Sequence, residues 1–374
     1  MIYIVSFFIS TFWVYLGVTW NKRNRGLSRF CFALGVLIVA VLAGVRDLTI
    51  GTDIQTYGEW LFKGAVSSNG FMSYVNHNSE IEKLFLVLVY GVSRLFTDSH
   101  WLYFSIALLQ YGFTLAGILN FKDKISVPFS WLCFLLIFYG DTLNAMRQFI
   151  ALAIAFWAFN FYLKKEYKKY IGWTVIAILF HNTAIISFLF AGIYFILIKK
   201  NTIYTRVGIV VGTLAATGLY SYIVQMFINI GILNGRFEKY LTTSSGFEMN
   251  PIIIRIPFIF LIFLIYHSFA YYNNRKYAEL GKRNTDFLIL ILIIEILTAE
   301  MRAILPVLYR ISFYFGYGKL IAYSRIAKVH PKNQRIFYSF FIIAFLIVLW
   351  VYQNVYQGNN NIYPYTSIIL GIGG

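Results

Sequence analysis

Apolar runs of roughly 17 to 25 residues, the length of helix that crosses ~30 Å of hydrocarbon, recur along the chain from its first residues to about Tyr356. Short polar loops separate them. The pattern predicts spans at about 2–20 and 29–45, then a loop from Arg46 to about Glu82 that carries too many polar residues to cross. Apolar segments at 83–96 and 101–120 follow, and then a hairpin, 127–142 and 146–163, whose tip is Asp141 to Gln148. Residues 170–198 resemble one long helix. Lysine clusters flank both of their ends, however, so two short helices meeting near His181–Asn182 are expected. Beyond lie a segment at 207–232, a second polar loop at 234–250, segments at 251–272, 286–303 and 311–324, and a last span at 336–356. The expected fold is an all-α, polytopic transmembrane helical bundle of about ten to twelve membrane segments, short or re-entrant helices included. Residues 1–356 are read as a single membrane domain and 357–374 as a polar outer tail.

Composition sharpens this picture. Of 374 residues, 59% are hydrophobic and 13% charged, with a mean hydropathy of +0.67, far outside the soluble globular range. The first run lacks a basic segment before it and a small-residue cleavage site after it, so it is expected to be a retained span rather than a signal peptide. Cys31 and Cys133 both fall in apolar runs and read as small buried hydrophobes. They imply neither a disulfide framework nor a metal site.

The net charge of +17 would suit a nucleic acid if it formed one surface, but it is distributed as loops. More than half of the 32 Lys and Arg stand in five clusters beside span ends: Lys22 to Arg29, Lys164 to Lys169, Lys199 to Arg206, Arg275 to Arg283, and Arg325 to Arg335. Cytoplasmic loops carry this excess, and anionic headgroups are its partner. No nucleic acid is expected. Placing the five clusters inside puts the loops 46–82 and 234–250 outside. One conflict follows. With Arg46 and Arg147 both outside and Lys122 and Lys124 inside, 83–96 and 101–120 cannot both cross, so 83–96 is expected to be re-entrant or to lie on the surface.

The polar residues left over gather on the predicted outer side. The first loop holds Arg46, Asp47, Gly51, Thr52, Asp53 and Tyr57, and ends in Glu80 and Glu82. The hairpin tip supplies Asn144, Arg147 and Gln148; the broken helix supplies His181; the second loop supplies Arg236 and Tyr240; Arg302 and Arg310 come from the late hairpin. Ionisable groups bordering spans are costly and mark pathways or sites. Arginine offers forked donors to phosphate oxygens and stays charged, so several arginines at one outer cavity suit a diphosphate. A snorkelling side chain or a structural ion pair is the alternative for each alone. His181 has the ordinary pKa of a proton-transfer group, with a hydrogen-bonded packing role as its alternative, and Asp53 and Glu82 compete as general base. Asp47 or Asp53 would suit a divalent cation. No His or Cys pair stands at ligand spacing, so neither a transition metal nor a cofactor is expected.

In this order, Arg46-x4-Gly51-Thr52-Asp53-x3-Tyr57, then Glu82, then Asn144-x2-Arg147-Gln148, then Phe180-His181-Asn182, then Arg236-x3-Tyr240, the residues resemble the EpsG family of bacterial polysaccharide polymerases, similar in role to Wzy O-antigen polymerases. The sequence departs from that pattern at Glu80 to Lys83, which leaves Glu80 and Glu82 as alternatives. The resemblance implies a multi-pass glycosyltransferase of the bacterial cytoplasmic membrane acting on undecaprenyl-diphosphate-linked oligosaccharide donor and acceptor, after export by a flippase and alongside a chain-length regulator. It implies that Arg147, with Arg46 or Arg236, holds the leaving diphosphate. His181, Glu82 or Asp53 would take the acceptor proton, with Gly51, Thr52, Tyr57, Asn144, Gln148, Tyr240 and Arg310 around the substrate. A lipid-phosphate-sugar glycosyltransferase, a membrane acyltransferase and a flippase are the competing readings. The last should show pseudo-symmetric halves, and the sequence has none.

Overall fold

The computed structural model describes residues 2–219, 222, 226, 229, 230, 280–300 and 307–373. These residues are helical almost throughout, with one isolated antiparallel bridge, Ser367 to Ile372, among them. Seven of the described helices are long and apolar enough to cross a membrane. The protein is therefore an all-α, multi-pass membrane protein. Two compact units are found, Met1–Ile185 with Tyr323–Gly374, and Ile186–Ala322. Residues 1–356, read from the pattern as one membrane domain, are distributed over both, and residues 357–374 belong with the first.

In the first unit, α1 (Ile2–Trp20) and α2 (Arg25–Gly44) form an antiparallel pair joined by Asn21–Asn24. The Asn24 side chain caps α2 by accepting from the Leu27 N–H at 3.0 Å. Small residues let these helices approach closely, as they must where lipid supplies no hydrophobic drive. A side chain on Gly35 would lie 2.8 Å from Val14 and 3.1 Å from the Ser10 carbonyl. Ser10 donates to the Gly35 carbonyl and receives the Trp131 indole N–H at 2.8 Å, which brings in α7 (Val127–Asn144). Tyr3, Phe7, Tyr139, Trp350 and Tyr365 pack ring against ring at one end of this core.

The remaining helices of the unit are α3 (Glu59–Ser67), α4 (Phe71–His77), α5 (Lys83–Leu95), α6 (His100–Leu119), α8 (Met146–Leu163) and α9 (Tyr167–Phe180), completed by Lys332–Val351. Charge divides the two ends of this unit. At one end lie the loops holding Lys22 and Arg23, Lys122 and Lys124, and Lys164 and Lys165; there Lys328 donates to the carbonyls of Lys122, Asp123 and Ile125. The opposite end gathers the 46–82 loop, the α7–α8 break and residues 358–372.

The conflict over 83–120 is resolved by α5. Its 13 residues are about 20 Å long, too short to cross. It starts at Glu82, beside α8, and its last turn carries Arg94, which donates to the Ala65 and Val66 carbonyls at the end of α3. Both of its ends thus stay with the 46–82 loop, and it packs against α3, α6 and α9. The traverse to Lys122 is left to α6.

In the second unit, α10 (Ile186–Lys199) and α11 (Ile203–Gly218) pack against Leu280–Glu300. Asp286 accepts from Asn201 at 2.7 Å and from Arg206 at 2.9 Å, and Lys319 pairs with the buried Glu295.

Gly35→Val should destabilise the unit by about 1–3 kcal/mol, because the close partners of the new side chain include backbone that cannot move aside. Thermal unfolding in detergent micelles should show a lower midpoint than for Gly64→Val, a glycine with nothing within 4 Å.

Candidate active site

The site is built on the break between α7 and α8. Ala145 has non-helical dihedrals (φ −123°, ψ 54°), so carbonyls before it and N–H groups after it lose their helical partners. Gln110 of α6 supplies donors, to the Thr142 carbonyl at 3.1 Å and the Met146 carbonyl at 3.0 Å. Asp53 supplies an acceptor: its Oδ2 takes the Met146 N–H at 3.0 Å across 93 residues of sequence. A carboxylate at a helix N-terminus also meets the positive end of the helix dipole.

Asp53 is brought there by a tight turn. Gly51 has φ +94°, and a Cβ on it would fall 2.9 Å from the Leu143 carbonyl, so glycine is required on both counts. Thr52 then donates to Asn144 Oδ1 with its backbone N–H (2.6 Å) and its hydroxyl (2.9 Å). A turn of π-helix, Ile54–Gly58, follows and directs the Tyr57 hydroxyl onto the Asp53 carboxylate. Burial, with that carboxylate beside it, pushes the Tyr57 phenol well above its ordinary pKa.

Arg147, one residue into α8, carries the charge of the cluster. Its Nη1 contacts Glu82 Oε2 at 2.5 Å, with the two side chains 17% and 12% exposed. Its guanidinium lies 4.6 Å from the centre of the Tyr57 ring and 5.9 Å from that of Phe85. Glu82 precedes α5 without capping it through its side chain, which leaves the carboxylate turned to the arginine. A guanidinium has five donors in a fixed fork, and Glu82 meets it at one nitrogen, so the group can still grip a phosphate oxygen. Of the two alternative glutamates, Glu82 stands against Arg147 and Glu80 is exposed.

Asp53, Tyr57, Arg147 and Glu82 thus form a chain of contacts in that order, braced by Gly51, Thr52 and Asn144. Gln148, the next residue of α8, is buried. Arg46 is 1% exposed; its Nε donates to the Ile50 carbonyl, its Nη1 to the Ala43 carbonyl, and its guanidinium lies 5.3 Å from the Tyr103 ring centre. It holds the loop from below. His181 ends α9 in extended conformation, half-buried, with Nδ1 2.7 Å from the Thr183 hydroxyl, and the 3-10 turn Asn182–Ile185 packs against α8. Because α8 and α9 are packed antiparallel and α9 has 14 residues, His181 comes back to roughly the level of Phe149, near the Arg147 end. Arg310 is exposed and belongs to the second unit. Arg236, Tyr240 and Arg302 lie outside the described residues.

Sequence reading passed over Gln110, Phe85 and Asn360. Gln110 was detectable as a lone amide within an apolar span; Phe85 gave no signal among so many aromatics. Asn360, whose carbonyl accepts from Asn144 Nδ2 at 2.9 Å, stood in a polar Gly358 to Asn361 turn read only as tail.

The fold and this cluster define a multi-pass membrane protein with an arginine–carboxylate site at the end of a helical unit opposite its basic loops. The family model described as the EpsG family matches residues 29–367, nearly the whole chain. The protein belongs to the EpsG family, membrane-embedded polysaccharide polymerases of the Wzy-like kind, and so to the polymerase-type glycosyltransferases. No match is found among curated proteins or solved structures.

Asp53→Ala would leave the Met146 N–H and the Tyr57 hydroxyl without their acceptor, at about 1–3 kcal/mol for each unsatisfied group. It should lower the unfolding midpoint clearly, whereas Glu80→Ala at an exposed position should not. A pH effect is expected at Asp47, whose carboxyl is held below the ordinary carboxylate range by the Thr366 hydroxyl and the Ile368 N–H. Stability from a depressed carboxylate is present above its unfolded pKa of about 4 and lost as pH falls through the lower folded value. The protection of the Ile368 amide, relative to its intrinsic exchange rate, should fall on that acid side, and Asp47→Asn should remove that fall.

Proposed function

We propose that this protein polymerises undecaprenyl-diphosphate-linked oligosaccharide repeat units at the outer face of a bacterial cytoplasmic membrane, in capsule, exopolysaccharide or O-antigen synthesis. The observation that carries the reading is the Arg147–Glu82 pair packed on Tyr57 beside Asp53. Orientation rests on the positive-inside rule: with the basic loops cytoplasmic, the Arg147 end faces outward. Substrate would arrive there by way of a flippase, and a chain-length regulator would act on the product.

In the reaction, the bond between the donor sugar's anomeric carbon and its diphosphate oxygen breaks, and a bond from that carbon to a hydroxyl of the acceptor unit forms. The electron pair leaves with the lipid diphosphate, whose growing charge Arg147 offsets. Donors aimed at developing charge in a site shielded from water act most strongly. A diphosphate entering the Arg147 fork competes with Glu82. Once displaced, Glu82 is a carboxylate without its partner, placed to take the acceptor proton; His181 is the second candidate base. Asp53 is committed to Met146 and Tyr57 and orients the site. Neutralisation by arginine makes a metal unnecessary for this chemistry.

The test uses purified protein in lipid nanodiscs with lipid-linked repeat units extracted from cells deleted for the gene, in the presence of EDTA. Wild type should give a ladder of chain lengths and free lipid diphosphate. Arg147→Ala should reduce both by at least about 100-fold at equal protein level, and Arg147→Lys, which keeps charge but loses the fork, should fall between. Long chains from Arg147→Ala would remove the diphosphate clamp. A ladder that disappears with EDTA would favour the lipid-phosphate-sugar alternative, and neither ladder nor free lipid diphosphate would favour a flippase.

A further inference from the structure

Asn144 is the acceptor for Thr52 only if its amide is held one way round. Its Nδ2 donates to the Gly140 carbonyl at 3.1 Å and to the Asn360 carbonyl at 2.9 Å, which turns Oδ1 toward the Thr52 N–H and hydroxyl. The Asn360 carbonyl is aimed by an unusual backbone. Asn360 has φ +68° and Asn361 φ +49°, after Gly358 at φ +64°, a left-handed run that asparagine and glycine tolerate and β-branched residues do not. The turn is anchored where it approaches α7: Asn360 Nδ2 donates to Asp141 Oδ1 at 3.2 Å, and Gly140 leaves room, since a Cβ there would lie 2.9 Å from Asn360 Nδ2. Downstream, Tyr365 donates to the Leu42 carbonyl, Ser367 to the Val45 carbonyl, and the Asp47 N–H to the Thr366 carbonyl. The segment is thus stitched to α7 at one end and, at the other, to the chain just before the Gly51–Asp53 turn.

We infer that the left-handed Asn360 turn is a positioning element for the reaction: by fixing the Asn144 amide it sets the Thr52–Asp53 turn against the start of α8, although it lies some 300 residues along the chain from that turn and touches no reacting group. This rests on the reading of Arg147 and its neighbours as the diphosphate site. A turn displaced by 1 Å carries Asp53, and through it Tyr57 and the α8 N-terminus, away from the working geometry, and misplacements of that size cost up to about 100-fold in rate.

The test compares Asn360→Val, which cannot hold the positive φ, with Asn360→Gly, which can. Full-length variants in nanodiscs are assayed for ladder synthesis from the extracted lipid-linked units, per amount of folded protein. Asn360→Val should lose at least about tenfold, and Asn360→Gly, with its backbone carbonyl still on Asn144, should stay within about threefold. Because Asn360 acts through Asn144 on Thr52, the losses of Asn360→Val and Thr52→Val should not multiply in the double variant. If Asn360→Val does not accumulate, Gly140→Ala carries the same test, since its Cβ would crowd the Asn360 amide, Asn354 and Ile362 where the turn meets α7. Binding of undecaprenyl diphosphate alone separates the two levels of argument. Should Arg147→Ala bind it as wild type does, the diphosphate site itself is misassigned. Should Arg147→Ala lose it while Asn360→Val, or Gly140→Ala in its place, polymerises at the wild-type rate, the positioning role of the turn is overturned and the site stands. Losses that multiply in the double variant overturn it as well.

Discussion

A helix interrupted at the end of an apolar bundle leaves backbone donors and acceptors without their helical partners, and the rest of this site follows from how they are satisfied at Ala145. The Met146 N–H is satisfied by a carboxylate that sequence places 93 residues earlier, and the Thr142 carbonyl by the amide of Gln110. A continuous helix through 127–163 would need none of these partners. It would also carry Arg147 mid-helix, without the turn that brings Glu82 and Tyr57 to it. The break and the 46–57 segment therefore specify each other: Asp53 ends the exposure of the α8 N-terminus, and that N-terminus gives Asp53 its place.

The two arginines that border this turn differ in how their charge is compensated. Arg46 is enclosed, and its acceptors are backbone carbonyls at the end of α2 and in the following loop, so it is stabilised by the negative end of a helix dipole and by an aromatic face. Arg147 is paired with Glu82 at a partly exposed position, with the Asp53 carboxylate acting on it at longer range. A diphosphate carries more charge and more oxygens than Glu82, so it can take over the guanidinium without leaving an unpaired cation. The same amino acid is enclosed among backbone carbonyls in one place and paired with a carboxylate at a partly exposed position in the other, and the proposed diphosphate role belongs to the second.

Much of the fold was legible because lipid imposes a coarse rule. Span length and the placement of lysine and arginine located α1, α2, α6, α7, α8 and the break at His181, since each depends on a run of apolar residues or a charged flank. The non-crossing of α5 was inferred from the same charge arithmetic, but its cause was not: Arg94 returning to the α3 carbonyls is a tertiary contact with no local signature. Candidate residues were found as polar exceptions in an apolar chain, which is why Asp53, Glu82, Asn144 and Arg147 stood out. That criterion cannot tell Glu80 from Glu82, because both are carboxylates near a span end and only the direction of the chain entering α5 separates them. It also failed for residues 357–374, where polarity read as solvation, yet Ile362 is fully buried and Tyr365 nearly so.

The dependence of the Gly51–Asp53 turn on so distant a segment has a physical reason. The 46–82 segment turns Ile54, Leu61, Phe62 and Ala65 inward, but the Gly51 turn itself has no large side chain to order it and gains left-handed freedom at the expense of rigidity. A segment arriving after the last helix is already anchored by Trp350 and the aromatic cluster around Tyr3, so its own entropy is lost to packing before it touches Asn144. Rigidity thus flows from the core of the first unit, through residues 358–367, to the turn that carries Asp53. The polar side of that turn, Thr52 and Asp53, is met by Asn144 and Met146 and, through Asn144, by the Asn360 carbonyl.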